Sequence, residues 1–393
     1  MLLDITICVI LFIVGFNLKY YFKNFTRSER KILNGLFFLH LSFGIAFITF
    51  NLSGFGGDAI GYWQYPRIYG WDYIINAISQ KSPSAYVFFI NYFLTNILSL
   101  SFITVSMFYI ILGYFGFVVL LQIIKENIPN YHILKKVKLL GLPIFPYVLY
   151  FPNIHFWTSG IGKDTLLFFS IVIFIYGIKN IRKRFLYIII SATISIFIRP
   201  HILLFLCLAF ALATILHGRI KAYQKALLFI LFAAVLVVLI PRVMEFTKIE
   251  NFQTQAFEDF SNDKAQKLNS RSADSGIDIS NYSYPFKVFT FLFRPLFVDM
   301  GGFLAIIASI ENLVFIFFFV YVLRSKPMEA FREGNIVIKS LLLFFIIGSL
   351  VFPLTLGNLG IILRQKAPFI IVFIVFGLWV ITKKHERIMA RTI

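Results

Sequence analysis

Long apolar runs alternate with short polar interruptions along the whole chain. The runs are mostly about 16–24 residues, close to the length that carries a helix across roughly 30 Å of hydrocarbon. They predict spans near 3–22, 33–53, 100–124, 137–152, 165–180, 185–198, 202–216, 226–243, 303–323, 336–356 and 367–382. The expected fold is all-α: one polytopic transmembrane domain over residues 1–393 with about eleven transmembrane helices. Two more apolar stretches hold too many polar groups to cross. The stretch 84–99 carries Asn91, Thr95 and Asn96, and 286–300 carries Lys287, Arg294, Pro295 and Asp299. Both are read as helices lying in the interface or dipping partway into the membrane.

Composition supports this class. Apolar residues make up 59% of the chain and charged residues 14%, where a soluble domain carries roughly 25% charged residues. A polar surface for a globule of 393 residues cannot be built from that stock. The two cysteines, Cys8 and Cys207, sit inside apolar runs with no partner at metal-ligand spacing, which makes them packing residues. The first run lacks a small-x-small cleavage site and is followed by Lys19, Lys23, Arg27, Arg30 and Lys31, so it reads as a retained span.

Charge then orients the spans. With the N-terminus outside, the inner loops hold 24 Lys and Arg against five Glu, while the outer side holds 13 of each sign. The whole formal charge of +19 thus lies on one side, which the positive-inside rule makes cytoplasmic. The C-terminus is cytoplasmic too. Counting 84–99 as a crossing would flip every later loop and destroy the pattern. The basic excess is therefore a topology signal, and no nucleic acid partner is expected. The polar mass falls outside, in a first outer loop with its interfacial helix (54–99) and a second (244–300).

Ionisable groups held near hydrocarbon are expensive, so each is a candidate for function. Asp58 follows Gly56 and Gly57 just beyond the second span, where a screened carboxylate can serve as general base toward a hydroxyl. Tyr62, Trp63 and Tyr65 nearby are residue types that stack on sugar rings; the plainer reading is an aromatic interfacial belt. The segment FPNIHFWTSGIGKDTLLFF puts Lys163 and Asp164 at a helix start after Gly160 and Gly162. A glycine turn, exposed helix N–H groups and a lysine suit a phosphate or diphosphate. The string resembles a nucleotide-binding P-loop only superficially, because its spacing is short and no strand precedes it. His155 and Trp157 stand just upstream.

Arg199 and His201 flank Pro200 in a tight turn, and arginine suits bidentate phosphate contact. Arg294 and Asp299 fit an ion pair or a second phosphate contact, and Arg364 and Lys366 precede the last span. Glu311, two turns inside the ninth span beside Asn312, calls for a cationic partner, with an arginine expected. Snorkelling to headgroups is the plain alternative for each of these cations. No metal site is expected, nor any other cofactor, although a loosely held divalent cation on Asp58 or Asp164 stays open.

The stretches GGDAIGYW, FWTSGIGKD, IRPH and LRQKAPF resemble those of bacterial multi-spanning proteins from exopolysaccharide and O-antigen loci: Wzy-type polymerases, EpsG-like proteins and the wider GT-C glycosyltransferases. The resemblance implies a glycosyltransferase or polysaccharide polymerase at the outer face of the bacterial cytoplasmic membrane. It also implies a polyprenyl-diphosphate-linked sugar or oligosaccharide as partner, beside the lipid bilayer itself. Carried over, Asp58 matches the acidic position, and Arg199 and Arg364 match outer-face arginines. The paired carboxylates common in GT-C first loops are missing here. A flippase for lipid-linked saccharides and a non-catalytic membrane scaffold are the alternatives; the former calls for polar groups near the midplane and broken helices.

Overall fold

Runs that are apolar on every face must be buried in protein or in lipid, and here they form helices. The computed structural model describes residues 2–55, 57–80, 82, 84–217, scattered positions between 223 and 244, 282–299, 303–354 and 358–392. The expected span 226–243 falls largely outside the described residues, as does most of the expected outer loop 244–285. Among the described residues, six helices are long and apolar enough to cross a membrane: Leu2–Tyr20, Arg27–Gly54, Phe102–Asn127, Ala305–Leu323, Ile336–Leu354 and Leu359–Arg391. The protein is thus helical and membrane-embedded by composition and length.

Contacts divide the chain into two compact units interleaved in sequence. Unit 1 is Met1–Ile123 with Ile154–Arg199, and unit 2 is Ile124–Asn153 with Pro200–Ile393.

Unit 1 contains α1 (Leu2–Asn17), α2 (Arg27–Phe50), α3 (Ala59–Ser79), α4 (Ala85–Tyr92) and most of α5 (Phe102–Asn127), then most of the short α6 (Pro152–Trp157), and α7 (Lys163–Ile178) and α8 (Ile181–Ile198). Helix α2 starts on a capping box. The Thr26 hydroxyl accepts from Glu29 N–H, and the Glu29 carboxylate accepts from Thr26 N–H at 2.6 Å. Helix α7 is buried at nearly every position and forms the centre of the unit. It joins α8 through Ser170, whose hydroxyl meets those of Ser191 and Ser195 at 3.0 and 2.6 Å. Small polar residues let two helices approach closely and hydrogen-bond across the seam. Part of the first outer loop is helical: α3 occupies 59–79, bent at Gly70 (φ 68°), a conformation that favours glycine. The stretch 84–99 holds α4 and a wide turn at Phe93–Ile97, too short to cross.

In unit 2, α9 (Pro200–Ile215) packs on α13, and α13 on α14. The other helices are α10 (Tyr284–Phe293), α11 (Phe303–Leu323), α12 (Pro327–Glu333), α13 (Ile336–Val351) and α14 (Leu359–Thr392). The expected span 137–152 is corrected. It holds a two-residue hairpin, Lys138–Leu139 against Leu142–Pro143, followed by short helical turns. Leu140 and Gly141 take positive φ at the hairpin tip, and Pro143 and Pro146 remove backbone donors, so no continuous helix forms. At the start of α10, the stretch 284–293 is ten residues long, short of a crossing. The helices at 163–178, 181–198 and 200–215 run 16 to 18 residues, at the lower edge of spanning length.

Candidate functional site

Within unit 1, helix direction fixes which charges share an end. Helix α2 begins at the basic segment 19–31, while α7 and α8 meet at the basic turn 179–184. These two segments touch: the Tyr21 and Tyr187 hydroxyls lie 2.7 Å apart, and Phe22 packs on Tyr176, whose ring carries the Arg184 guanidinium at 3.8 Å. The opposite ends of the same helices carry Asp58, Lys163 and Arg199.

Asp58 and Lys163 both approach Tyr62, and Arg199 approaches Asp164, the residue after Lys163. The Tyr62 hydroxyl donates to Asp58 Oδ2 at 3.4 Å, and Lys163 Nζ lies 5.9 Å from the centre of the Tyr62 ring. The Arg199 guanidinium approaches the Asp164 carboxylate at 3.6 Å. Tyr62 is buried, and Asn91 anchors its backbone by donating to its carbonyl at 2.9 Å while accepting from the Tyr109 hydroxyl. Gly162 packs beside the Tyr62 ring, where a Cβ would make an ordinary contact at 3.5 Å, and its φ of 156° favours glycine. The glycine in the GIGKD turn therefore lets Lys163 start α7 against Tyr62. Asp58 itself is exposed and Lys163 is half-buried. An exposed carboxylate and a half-buried lysine that both approach one tyrosine are groups that can take a hydroxyl and an anion.

His155 belongs elsewhere. It is fully buried, its Nδ1 is 3.1 Å from His40 Nδ1, and Phe117 stacks on it at 4.2 Å. His40 lies in the middle of α2 and Phe117 in the middle of α5, so this pair is deep in the bundle. The His40–His155 partnership escaped sequence reading because 115 residues separate the two. Trp157, by contrast, packs edge-on to Phe47 and Phe156.

Within unit 2, the other flagged residues are tied into one buried network. Lys366 is 1% exposed, and its ammonium donates to the carbonyls of Leu292 (3.3 Å) and Arg294 (2.8 Å) and to Asn312 Oδ1 (2.7 Å). An ammonium has three N–H groups, so all are spent inside the protein. Asn312 returns a bond to the Pro295 carbonyl at 2.7 Å. Arg294 grips Asp299 through Nε and Nη2, the latter at 2.6 Å, and its Nη1 donates to the Tyr282 hydroxyl. Asp299 also accepts from Leu296 N–H at 2.6 Å, closing the turn.

Burial alone raises the Asp299 carboxyl. The Arg294 hydrogen bonds, the Leu296 N–H and the Arg294 charge outweigh it, so the group sits below its ordinary value. Arg294 is pushed up in turn, first by its hydrogen bond to Asp299, against the opposing effect of burial.

Glu311 is 6% exposed and accepts from the Asn153 N–H at 2.6 Å, and Lys366 is the cation that acts on it. The expected arginine partner is thus corrected: among the described residues the hydrogen-bond donor to Glu311 is the Asn153 backbone N–H. Beside Glu311 lies a small apolar cavity of about 180 Å³, lined also by Phe151, Pro152, Ile307, Ile310 and Val314. Ligand pockets usually measure about 300 Å³ or more, so this one is too small for a saccharide. Arg364 is half-buried in the second turn of α14, and His201 packs against Phe205 and Phe352. Among the described residues, no group of three or more His, Cys, Asp or Glu is placed to hold a metal ion.

No protein-family model, no curated protein and no solved structure matches this chain.

Proposed function

We propose that this protein is a membrane glycosyltransferase or polysaccharide polymerase that takes a sugar or oligosaccharide from a polyprenyl-diphosphate carrier at the outer face of the membrane. The observation that carries the reading is the linkage of Asp58, Lys163 and Arg199 around Tyr62 and Asp164, at the end of unit 1 opposite its basic loops. In this reading Asp58 takes the proton from the acceptor hydroxyl as its oxygen bonds to the anomeric carbon. The bond from that carbon to the diphosphate oxygen breaks, and the electron pair leaves with the diphosphate. Lys163 and Arg199 hold the charge that develops there, as preorganised cations do at other leaving groups. Arg294 and Lys366 play no part in anion binding in this scheme, since their donors are engaged.

The test is transfer activity in proteoliposomes loaded with lipid-linked saccharides extracted from the producing cells. Asp58→Asn is expected to lower transfer by about 100-fold or more, the usual worth of a general base, with folding unchanged. Wild-type rates in that variant would end the proposal.

One observation favours a carrier of lipid-linked saccharides instead. Residues 152–162 form only a short helix and turns, yet most are buried, and His155 of that segment reaches the mid-helix His40. Broken backbone at membrane depth is typical of transport sites. The same proteoliposomes separate the two readings. A carrier moves labelled lipid-linked saccharide between leaflets without forming a glycosidic bond.

A further inference from the structure

Lys19 and Arg30 come together at the basic end of unit 1, away from the Asp58 cluster. Lys19 is only 5% exposed; its Nζ sits 3.3 Å from the centre of the Phe16 ring and makes one hydrogen bond, to Asn34 Oδ1 at 2.8 Å. An ammonium has three N–H groups, so two have no oxygen or nitrogen acceptor among the described residues. The same Nζ lies 5.4 Å from the centre of the Tyr20 ring, and the Arg30 guanidinium lies 4.9 Å from it. Arg30 Nε is buried and has no hydrogen-bond partner. Neither cation has a carboxylate partner among the described residues. Two like charges beside one aromatic ring repel, and a partly buried donor without an acceptor costs free energy. An anion relieves both.

The surroundings choose which anion. Helix α1 runs from this spot with a strongly exposed apolar face, including Val9, Ile13 and Val14, the surface an acyl chain covers. Tyr20 and Tyr21 are half-exposed beside it, as tyrosines are at a membrane–water interface. Exposed Lys23, Arg27, Lys31, Arg182 and Lys183 crowd the same end, and basic clusters at the membrane surface attract anionic leaflets. We propose that Lys19, Arg30, Asn34 and Tyr20 form a phosphate site for the headgroup of an anionic phospholipid whose chains lie along α1.

Native mass spectrometry of the full-length protein, delipidated and titrated with phosphatidylglycerol, phosphatidylcholine or inorganic phosphate, tests it. Wild type is expected to retain phosphatidylglycerol in preference to phosphatidylcholine. Lys19→Met with Arg30→Gln is expected to weaken that retention by about tenfold or more, the worth of a charge-assisted contact or two. Arg182→Gln with Lys183→Gln, altering exposed cations only, is expected to change it far less. Melting in phosphatidylcholine nanodiscs checks folding: the Lys19/Arg30 variant should match wild type there, yet lack the added stability that phosphatidylglycerol gives wild type. Equal phosphatidylglycerol retention by wild type and the Lys19/Arg30 variant overturns the site. So does an equal loss in the Arg182/Lys183 variant, which would mean only a diffuse surface charge. Binding of inorganic phosphate with no preference for phosphatidylglycerol overturns the lipid assignment.

Discussion

The ionic residues of unit 1 and unit 2 are alike in composition and opposite in state. In unit 2, Lys366 spends all three N–H groups within the protein, Arg294 clamps Asp299 at 2.6 Å, and Glu311 accepts a backbone N–H at 2.6 Å. In unit 1, Arg199 stands 3.6 Å from Asp164, Lys163 faces an aromatic ring at 5.9 Å, and Asp58 is exposed. Short, saturated contacts inside a buried network fix a shape. An exposed carboxylate with half-buried cations on the same unit is within reach of a ligand. The same residue types therefore hold the chain together in one unit and form a candidate site in the other.

The sharpest way to break this comparison is to remove a cation from each side. Lys366→Ala leaves three buried acceptors unfilled: the Leu292 and Arg294 carbonyls and Asn312 Oδ1. It should cost about 3 kcal/mol or more, since each buried group left unsatisfied costs about 1–3 kcal/mol, read as a large drop in melting temperature in detergent. A shift as small as a surface substitution gives would mean the unit 2 network is not structural.

The turn at Arg294 offers a milder test. Asp299→Asn should cost about 2 kcal/mol, a hydrogen-bonded charge with some access to solvent. Because the Asp299 value is lowered in the folded protein, its contribution is present above the unfolded value of about 3.9. It is lost as pH falls below that and through the native value. Wild type should therefore lose this increment on acidification, and the Asn variant should show no such loss. Identical acid sensitivity in the two would remove Asp299 from the account.

The smallest stability effect belongs to unit 1. Lys163→Gln and Arg199→Gln should each change stability by less than about 1 kcal/mol, as charges with access to solvent do. If either unfolds the protein as Lys366→Ala does, the contrast between the two units collapses.

Much of the architecture was legible because burial in lipid demands long apolar helices, and those leave a plain mark. The 100–124 run became α5 at Phe102–Asn127, and the run after Pro327 became α13. The run at 137–152 misled, because hydropathy there is high while Leu140, Gly141, Pro143 and Pro146 forbid a continuous helix. The loop at 54–84 misled in the other direction. Its aromatic and polar residues read as surface, yet they form the bent helix α3 against α4.

Of the flagged charges, the sequence alone determined which were costly to keep near hydrocarbon, and that Lys163 sits at a helix start behind a glycine turn. The one-sided distribution of charge rests on the count of crossings, and that count changes once 137–152 folds as a hairpin and short turns. Which charges meet was decided by tertiary structure alone. Lys366 reaches back 74 residues to Leu292, Glu311 meets Asn153, His155 finds His40, and Lys19 and Arg30 come to share one ring. Such partners are chosen by how helices pack. A local pattern shows that a buried charge needs partners, but only the packing brings them within reach.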